Sequence, residues 1–161
     1  MIHAVVITVS DRCARGEQED ESGAVLVELL KEAGAEIVAT EVLPDDLEPL
    51  AEKLLALAGR ADINLIITTG GTGFSPRDNT PEATRAVIER DAPGLSEAMR
   101  IETLKQTPLA MISRGVSGIR NGTLIINLPG SPKGVRQSFA VIKPVLAHAV
   151  ALLEGKPHAE A

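Results

Sequence analysis

Short apolar runs alternate with longer stretches whose apolar positions recur at helical spacing. Residues 4–8 are a continuous β-branched run, which reads as a buried strand. Residues 10–21 are polar and dense in charge, and read as a loop. Residues 22–33 read as a helix, with Ser22 as its N-cap and Gly34 as its stop. Residues 36–43 read as a second strand. Asp45 or Asp46 caps the next helix, which runs to about Gly59. Pro49 falls in its first turn, where a missing N–H costs little. Residues 63–69 are a third strand and residues 70–79 a glycine-rich loop. Thr80-Pro81-Glu82 then starts a helix: a capping hydroxyl, a proline, and an acid near the positive end.

The second half is less regular. Residues 95–105 read as a helix. Residues 116–120 and 123–128 flank Asn121-Gly122, and Asn-Gly between β-prone runs is a strong hairpin signal. Ser131-Pro132 opens a long last helix to about Glu154, which Pro144 should kink or split. Strands alternating with helices of this length predict an α/β fold: a mostly parallel sheet covered on both faces, with the hairpin as an antiparallel piece.

Composition narrows the function. A chain of 161 residues is one domain on size, with residues 1–155 as its body and 156–161 as a small, polar, frayed tail. Net charge is −6, a poor match for nucleic acid, whose binding runs on phosphate neutralisation. There is no Trp or Tyr, and only Phe74 and Phe139 are aromatic, so a base-stacking platform is excluded. Cys13 stands alone, which removes internal disulfides and cysteine-based zinc sites. His3, His148 and His158 are scattered without ligand spacing. No apolar stretch is long enough for a membrane span or a leader, so the expected location is the cytoplasm.

Four loops at the carboxyl ends of strands carry the candidate chemistry, and that edge is where open α/β sheets bind ligands. The first holds Gly70, Gly71, Thr72, Gly73, Arg77 and Asp78. Its glycines let the backbone approach an anion, Arg77 can neutralise phosphate, and Asp78 suits a Mg²⁺ that bridges phosphates. The spacing matches neither a P-loop nor the dinucleotide fingerprint. The blander reading is a tight turn with a surface Arg–Asp pair. The second loop holds Pro129, Gly130, Ser131 and Lys133 and reads either as an anion site or as an ordinary cap. The third is Ser10-Asp11-Arg12, either a ligand loop or a solvated one. The fourth is Pro44-Asp45-Asp46, a helix cap unless it shares an edge with the others. The acids Glu17, Glu19, Asp20 and Glu21 read as a solvated face. Phe74 either covers a ring of the ligand or anchors its loop.

Assembled, these loops resemble the MogA/MoaB family of molybdopterin adenylyltransferases, which includes the G domains of Cnx proteins and gephyrin. The resemblance rests on Thr69-Gly70-Gly71-Thr72-Gly73 followed by Pro76-Arg77-Asp78-Asn79-Thr80-Pro81-Glu82-Ala83-Thr84. Ile7-Thr8-Val9-Ser10-Asp11-Arg12, Pro93-Gly94, Ser113-Arg114 and Leu128-Pro129-Gly130-Ser131-Pro132-Lys133 extend it over almost the whole chain. It implies a three-layer α/β/α domain that forms a homotrimer. It implies transfer of AMP from ATP to molybdopterin with Mg²⁺, releasing pyrophosphate, and hand-over to a molybdenum-inserting enzyme. Asp78 and Asp45 would be the catalytic, metal-binding aspartates, with Asp46 one residue from the second alignment. Gly70–Gly73 and Arg77 would bind the nucleotide. Ser10, Asp11, Arg12, Pro129, Gly130, Ser131 and Lys133 would bind the pterin substrate. One departure stands out: residues 16–23 look closer to MoaB-type members, some of which lack clear adenylyltransferase activity.

Overall fold

Alternate residues of each central strand face opposite ways, and in this chain both sets are apolar. In a computed structural model describing residues 1–156, the strands are β1 (His3–Val9), β2 (Glu36–Leu43), β3 (Leu65–Thr69), β4 (Arg90–Asp91), β5 (Ser117–Arg120) and β6 (Thr123–Leu128). They form one sheet in the order β2-β1-β3-β6-β5-β4. The pairs among β2, β1, β3 and β6 are parallel, and β5 and β4 join antiparallel. The helices are α1 (Asp11–Ala14), α2 (Glu21–Glu32), α3 (Leu47–Ala58), α4 (Thr80–Val87), α5 (Pro93–Leu104) and α6 (Pro132–Leu153).

The sheet divides the core in two. Ala4, Val6, Leu65, Ile67, Leu124 and Ile126 face α2, α5 and α6, packing on Leu26, Leu30, Met99, Phe139 and Ile142. Val5, Ile7, Val9, Ile66 and Ile125 face α3 and α4, packing on Leu50, Leu54, Ala83 and Val87. This is the expected three-layer α/β/α arrangement. The hairpin also forms as read, because Asn121 (φ 48°) and Gly122 (φ 75°) both take the positive φ that its tight turn demands.

Several local expectations fail for physical reasons. Asp20, not Ser22, caps α2: its carboxylate accepts the Gly23 N–H at 2.9 Å, while Ser22 is buried in the first turn. Thr80 is the first residue of α4 rather than its cap, and its hydroxyl turns back to the Gly70 carbonyl at 2.9 Å. Of the two candidates for the cap of α3, Asp46 holds the position, as read, but its side chain makes no capping bond. The third strand begins two residues late because Asn64 is spent outside it. Its side chain bonds the His3 N–H and the Met1 carbonyl. Helix α5 begins at Pro93, two residues early. Helix α6 runs unbroken through Pro144, so no split occurs. The single turn α1, the short β4 and a 3₁₀ turn at Pro108–Ile112 have no clear sequence signal. Most of the expected tail, with His158, lies outside the described residues.

Candidate functional site

From β1 the chain crosses to β2 on one side and then returns to β3 on the other. The carboxyl ends of β1 and β3 therefore flank the switch point, where an open α/β sheet leaves a crevice. A cleft of about 260 Å³ lies there. Ser10, Asp45, Gly70, Gly71, Asp78 and Gly130 all line it, so residues from all four candidate loops meet at one place.

The glycines are required by geometry. Gly70 (φ 100°) and Gly71 (φ 68°) lie in the left-handed region. A Cβ on Gly70 would overlap the Val9 carbonyl oxygen, and one on Gly71 would overlap the Thr80 hydroxyl. A Cβ on Gly73 would stand 3.0 Å from Asp78 Oδ2. Gly130 backs onto Gly70, where a Cβ would lie 3.1 Å from the Gly70 Cα. The loop is held from below as well. The Gly70 N–H donates to the Leu128 carbonyl at 3.2 Å, and the Thr69 hydroxyl donates to the Pro129 carbonyl at 2.7 Å. Beneath them Asn127 Nδ2 donates to the hydroxyls of Thr68 and Thr84, both at 3.0 Å, so the loops after β3 and β6 share one buried polar anchor.

The aspartates form a linked set. The Asp11 N–H donates to Asp45 Oδ2 at 2.9 Å, and the Asp45 N–H returns a bond to Asp11 Oδ1 at 3.0 Å. Arg77 grips Asp11 with Nε at 3.0 Å and Nη2 at 2.9 Å, and reaches Asp46 at 3.0 Å. These bonds hold the Asp11 carboxyl down at about 2, the Arg77 side chain first and the Asp45 N–H second. Arg77, expected to neutralise phosphate, is thus engaged by two carboxylates. Burial raises the Asp45 carboxyl above its ordinary range. The Asp11 N–H opposes that rise, while the negative charges of Asp11 and Asp78 add to it. Asp78 Oδ2 accepts the Ser75 N–H at 3.0 Å.

Among the described residues no three His, Cys, Asp or Glu side chains gather to cage a metal ion. Two carboxylates on one cleft fit a different use. Mg²⁺ keeps several waters and binds through one or two carboxylates plus substrate phosphates. Asp45 and Asp78 are the carboxylates on this cleft that could hold such an ion, and its charge would relieve the repulsion that Asp45 carries.

The remaining candidates are distributed less centrally. Pro129, Ser131 and Lys133 line a neighbouring cavity of about 290 Å³, with Thr103, Thr107 and Gln137 among its other walls. The Ser131 hydroxyl accepts the Gly134 N–H at 3.0 Å and so acts as a cap. Arg12 is exposed and Thr72 is buried, and neither lines the cleft. Phe74 is 68% exposed, so it does not anchor its loop to the core. The acids of the first loop divide: Glu19 and Glu21 line the cleft, whereas Asp20 accepts the Thr8 hydroxyl at 2.7 Å. Arg114 enters the sequence reading only as part of the Ser113-Arg114 match, with no role, yet it ties the glycine loop through Gly73 and Asp78. No spacing pattern links it to a loop some forty residues earlier.

Comparison with known proteins identifies the family and the fold. Residues 5–148 match the family described as "Probable molybdopterin binding domain". The chain is similar to the molybdopterin adenylyltransferase of Helicobacter pylori strain J99, at 39% identity over 96% of this chain and 89% of that protein. It is 43% identical, over 96% of its length, to the molybdenum cofactor synthesis protein cinnamon of Drosophila melanogaster, of which it spans 27%. Its fold overlays the crystal structure of the molybdopterin biosynthesis enzyme MoaB from Thermus thermophilus. The TM-score is 0.91, at 46% identity, covering 99% of this chain and all of that one.

Proposed function

The chain belongs to the molybdopterin-binding domain family, and from that premise we propose that it adenylylates molybdopterin with ATP in molybdenum cofactor biosynthesis. The observation that carries this reading is the convergence of Asp78, Asp45, Gly70, Gly71 and Gly130 on one cleft at the switch point. Both reactants are polyanions, so the site must align them and offset their charge.

In this reaction an oxygen of the molybdopterin phosphate attacks the α-phosphorus of ATP. The bond between that phosphorus and the bridging oxygen to the β-phosphorus breaks, and pyrophosphate leaves. The attacking oxygen is already ionised, so no general base is needed. The Gly70–Gly71 backbone lets the nucleotide approach closely. Asp78 and Asp45 are the residues that would hold Mg²⁺, which when bound draws negative charge from the departing pyrophosphate. Ser131, Lys133 and the start of α6 hold the acidic end of the pterin substrate from the adjoining cavity. Arg77 keeps the loops that carry Asp45 and Asp78 together.

We further propose a cytoplasmic homotrimer whose product passes to an enzyme that inserts molybdenum. Ile101, Leu104, Leu109, Met111 and Ile112 are exposed along α5 and the 3₁₀ turn, giving a copy of the chain an apolar face to bury. A second reading is favoured by the likeness to a MoaB and by the acids of the first loop on the cleft wall: a molybdopterin-binding trimer that does not adenylylate. Single-turnover reaction with molybdopterin, ATP and Mg²⁺, followed by chromatography of the pterin, separates the two. Adenylylated product that falls by about 100-fold or more in Asp78→Asn is the expected result. Bound pterin without product would move the chain to the second reading.

A further inference from the structure

We propose that Arg114 is a positioning residue for the Asp78 carboxylate, acting as a clamp on both ends of the segment that presents it. This rests on Asp78 being a magnesium ligand. The segment from Gly73 to Asp78 is exposed along Phe74–Arg77 and carries its own small turn. Within it the Asp78 N–H donates to the Ser75 carbonyl at 2.9 Å, and the Ser75 N–H donates to Asp78 Oδ2 at 3.0 Å. Those bonds orient the carboxylate relative to the turn. They do not fix the turn relative to the sheet.

Arg114 supplies that second constraint. Its Nε donates to the Gly73 carbonyl at 2.8 Å and its Nη2 to the Asp78 carbonyl at 2.9 Å, the two ends of the segment. Its Nη1 pairs with the Glu82 carboxylate in the first turn of α4, and its backbone N–H donates to the Thr72 carbonyl at 2.8 Å. One planar guanidinium thus spans two carbonyls and a carboxylate with three different nitrogens. A lysine ammonium presents its donors from a single point and cannot span them. Arg77 ties the same segment toward Asp11 and Asp46, on the side of β1 and β2. Arg114 ties it toward the second half of the chain. The cleft is rigid at Asp78 only when both are in place.

The test compares Arg114→Lys with Asp78→Asn and the unaltered protein. Binding of α,β-methylene-ATP is measured by calorimetry in Mg²⁺ and again in EDTA, beside kcat, KM for molybdopterin and thermal midpoint. Arg114→Lys is expected to lose about tenfold or more of the Mg²⁺-dependent gain in affinity. Its affinity in EDTA and its KM for molybdopterin stay within about twofold, and kcat falls. A Mg²⁺-dependent gain equal to the unaltered protein's overturns the proposal. So does an equal loss in Mg²⁺ and EDTA with a lowered midpoint, which is a structural role only. Should Arg114→Lys not fold, Glu82→Gln carries the test, with a smaller loss of the same gain expected and an unchanged gain overturning it. Wild-type turnover in Asp78→Asn instead refutes the metal-ligand reading itself, whatever Arg114 does.

Discussion

The loops after β3 and β6 are built on one plan and do different things. Each leaves a buried strand, passes through glycine, and enters a helix with proline in its first turn. After β6 the plan is local: Ser131 takes the cap position and bonds the Gly134 N–H three residues on. After β3 the cap residue Asn79 makes no capping bond to α4. The loop is instead held by Thr80 turning back on Gly70, by Arg77 reaching Asp11, and by Arg114 arriving from beyond α5. A helix cap needs only its neighbours in sequence. A loop that presents a carboxylate at a fixed point needs ties from several parts of the chain.

That contrast can be broken, most forcefully at Gly70. Gly70→Ala forces a Cβ into the Val9 carbonyl at a φ of 100°, and it should cost about 3 kcal/mol or more. Urea unfolding measures it, and a loss under about 1 kcal/mol would show that the loop after β3 yields easily. Thr80→Val keeps the shape and removes the bond to the buried Gly70 carbonyl. It should cost about 1.5 kcal/mol and lower turnover more than its effect on stability accounts for. Ser131→Ala should cost about 1 kcal/mol by the same unfolding assay, the loss of a cap and nothing beyond it. If it instead abolished folding, the two loops would not differ as described.

The smallest effect sharpens the comparison through pH. Arg114 holds the Glu82 carboxyl below its ordinary value, through their hydrogen bond first. A lowered carboxyl contributes stability above its unfolded value and loses it as pH falls through the folded one. This pair is surface-exposed, so its worth is about 0.5 kcal/mol. The difference in thermal midpoint between the unaltered protein and Glu82→Gln should therefore be present at pH 7, shrink as pH falls below the ordinary glutamate value, and vanish once the lowered folded value is passed. A difference that persists in acid would assign the effect to packing instead.

The same contrast explains what could be read before the fold was known. Core strands and the hairpin announce themselves by runs of β-branched residues and by Asn-Gly, because those signals act over a few residues. The glycine loop was legible because its left-handed positions exclude other residues. Ser22 misled because Asp20 and Ser22 both fit a cap; Asp20 takes the Gly23 N–H on one carboxylate oxygen and the Thr8 hydroxyl, twelve residues back, on the other. Asp45 is set apart from Asp46 by its reciprocal bonds with Asp11, 34 residues away, and Arg114 meets Asp78 across 36. Contacts at that separation leave no periodic trace in one sequence.

The pairing of β3 with β6 has a consequence for the order in which the protein can be built. A ribosome that has released residues 1–122 has delivered β1, β2 and β3 but no partner for the second side of β3. Until β6 emerges, the Gly70 amide lacks the Leu128 carbonyl, and β3 presents an open edge of unpaired backbone N–H and C=O groups between two apolar faces. An edge of that kind is where nascent chains pair with one another. The late strand that completes the ligand cleft is also the one that closes this window, so truncation or pausing before it should favour aggregation over a partly active product.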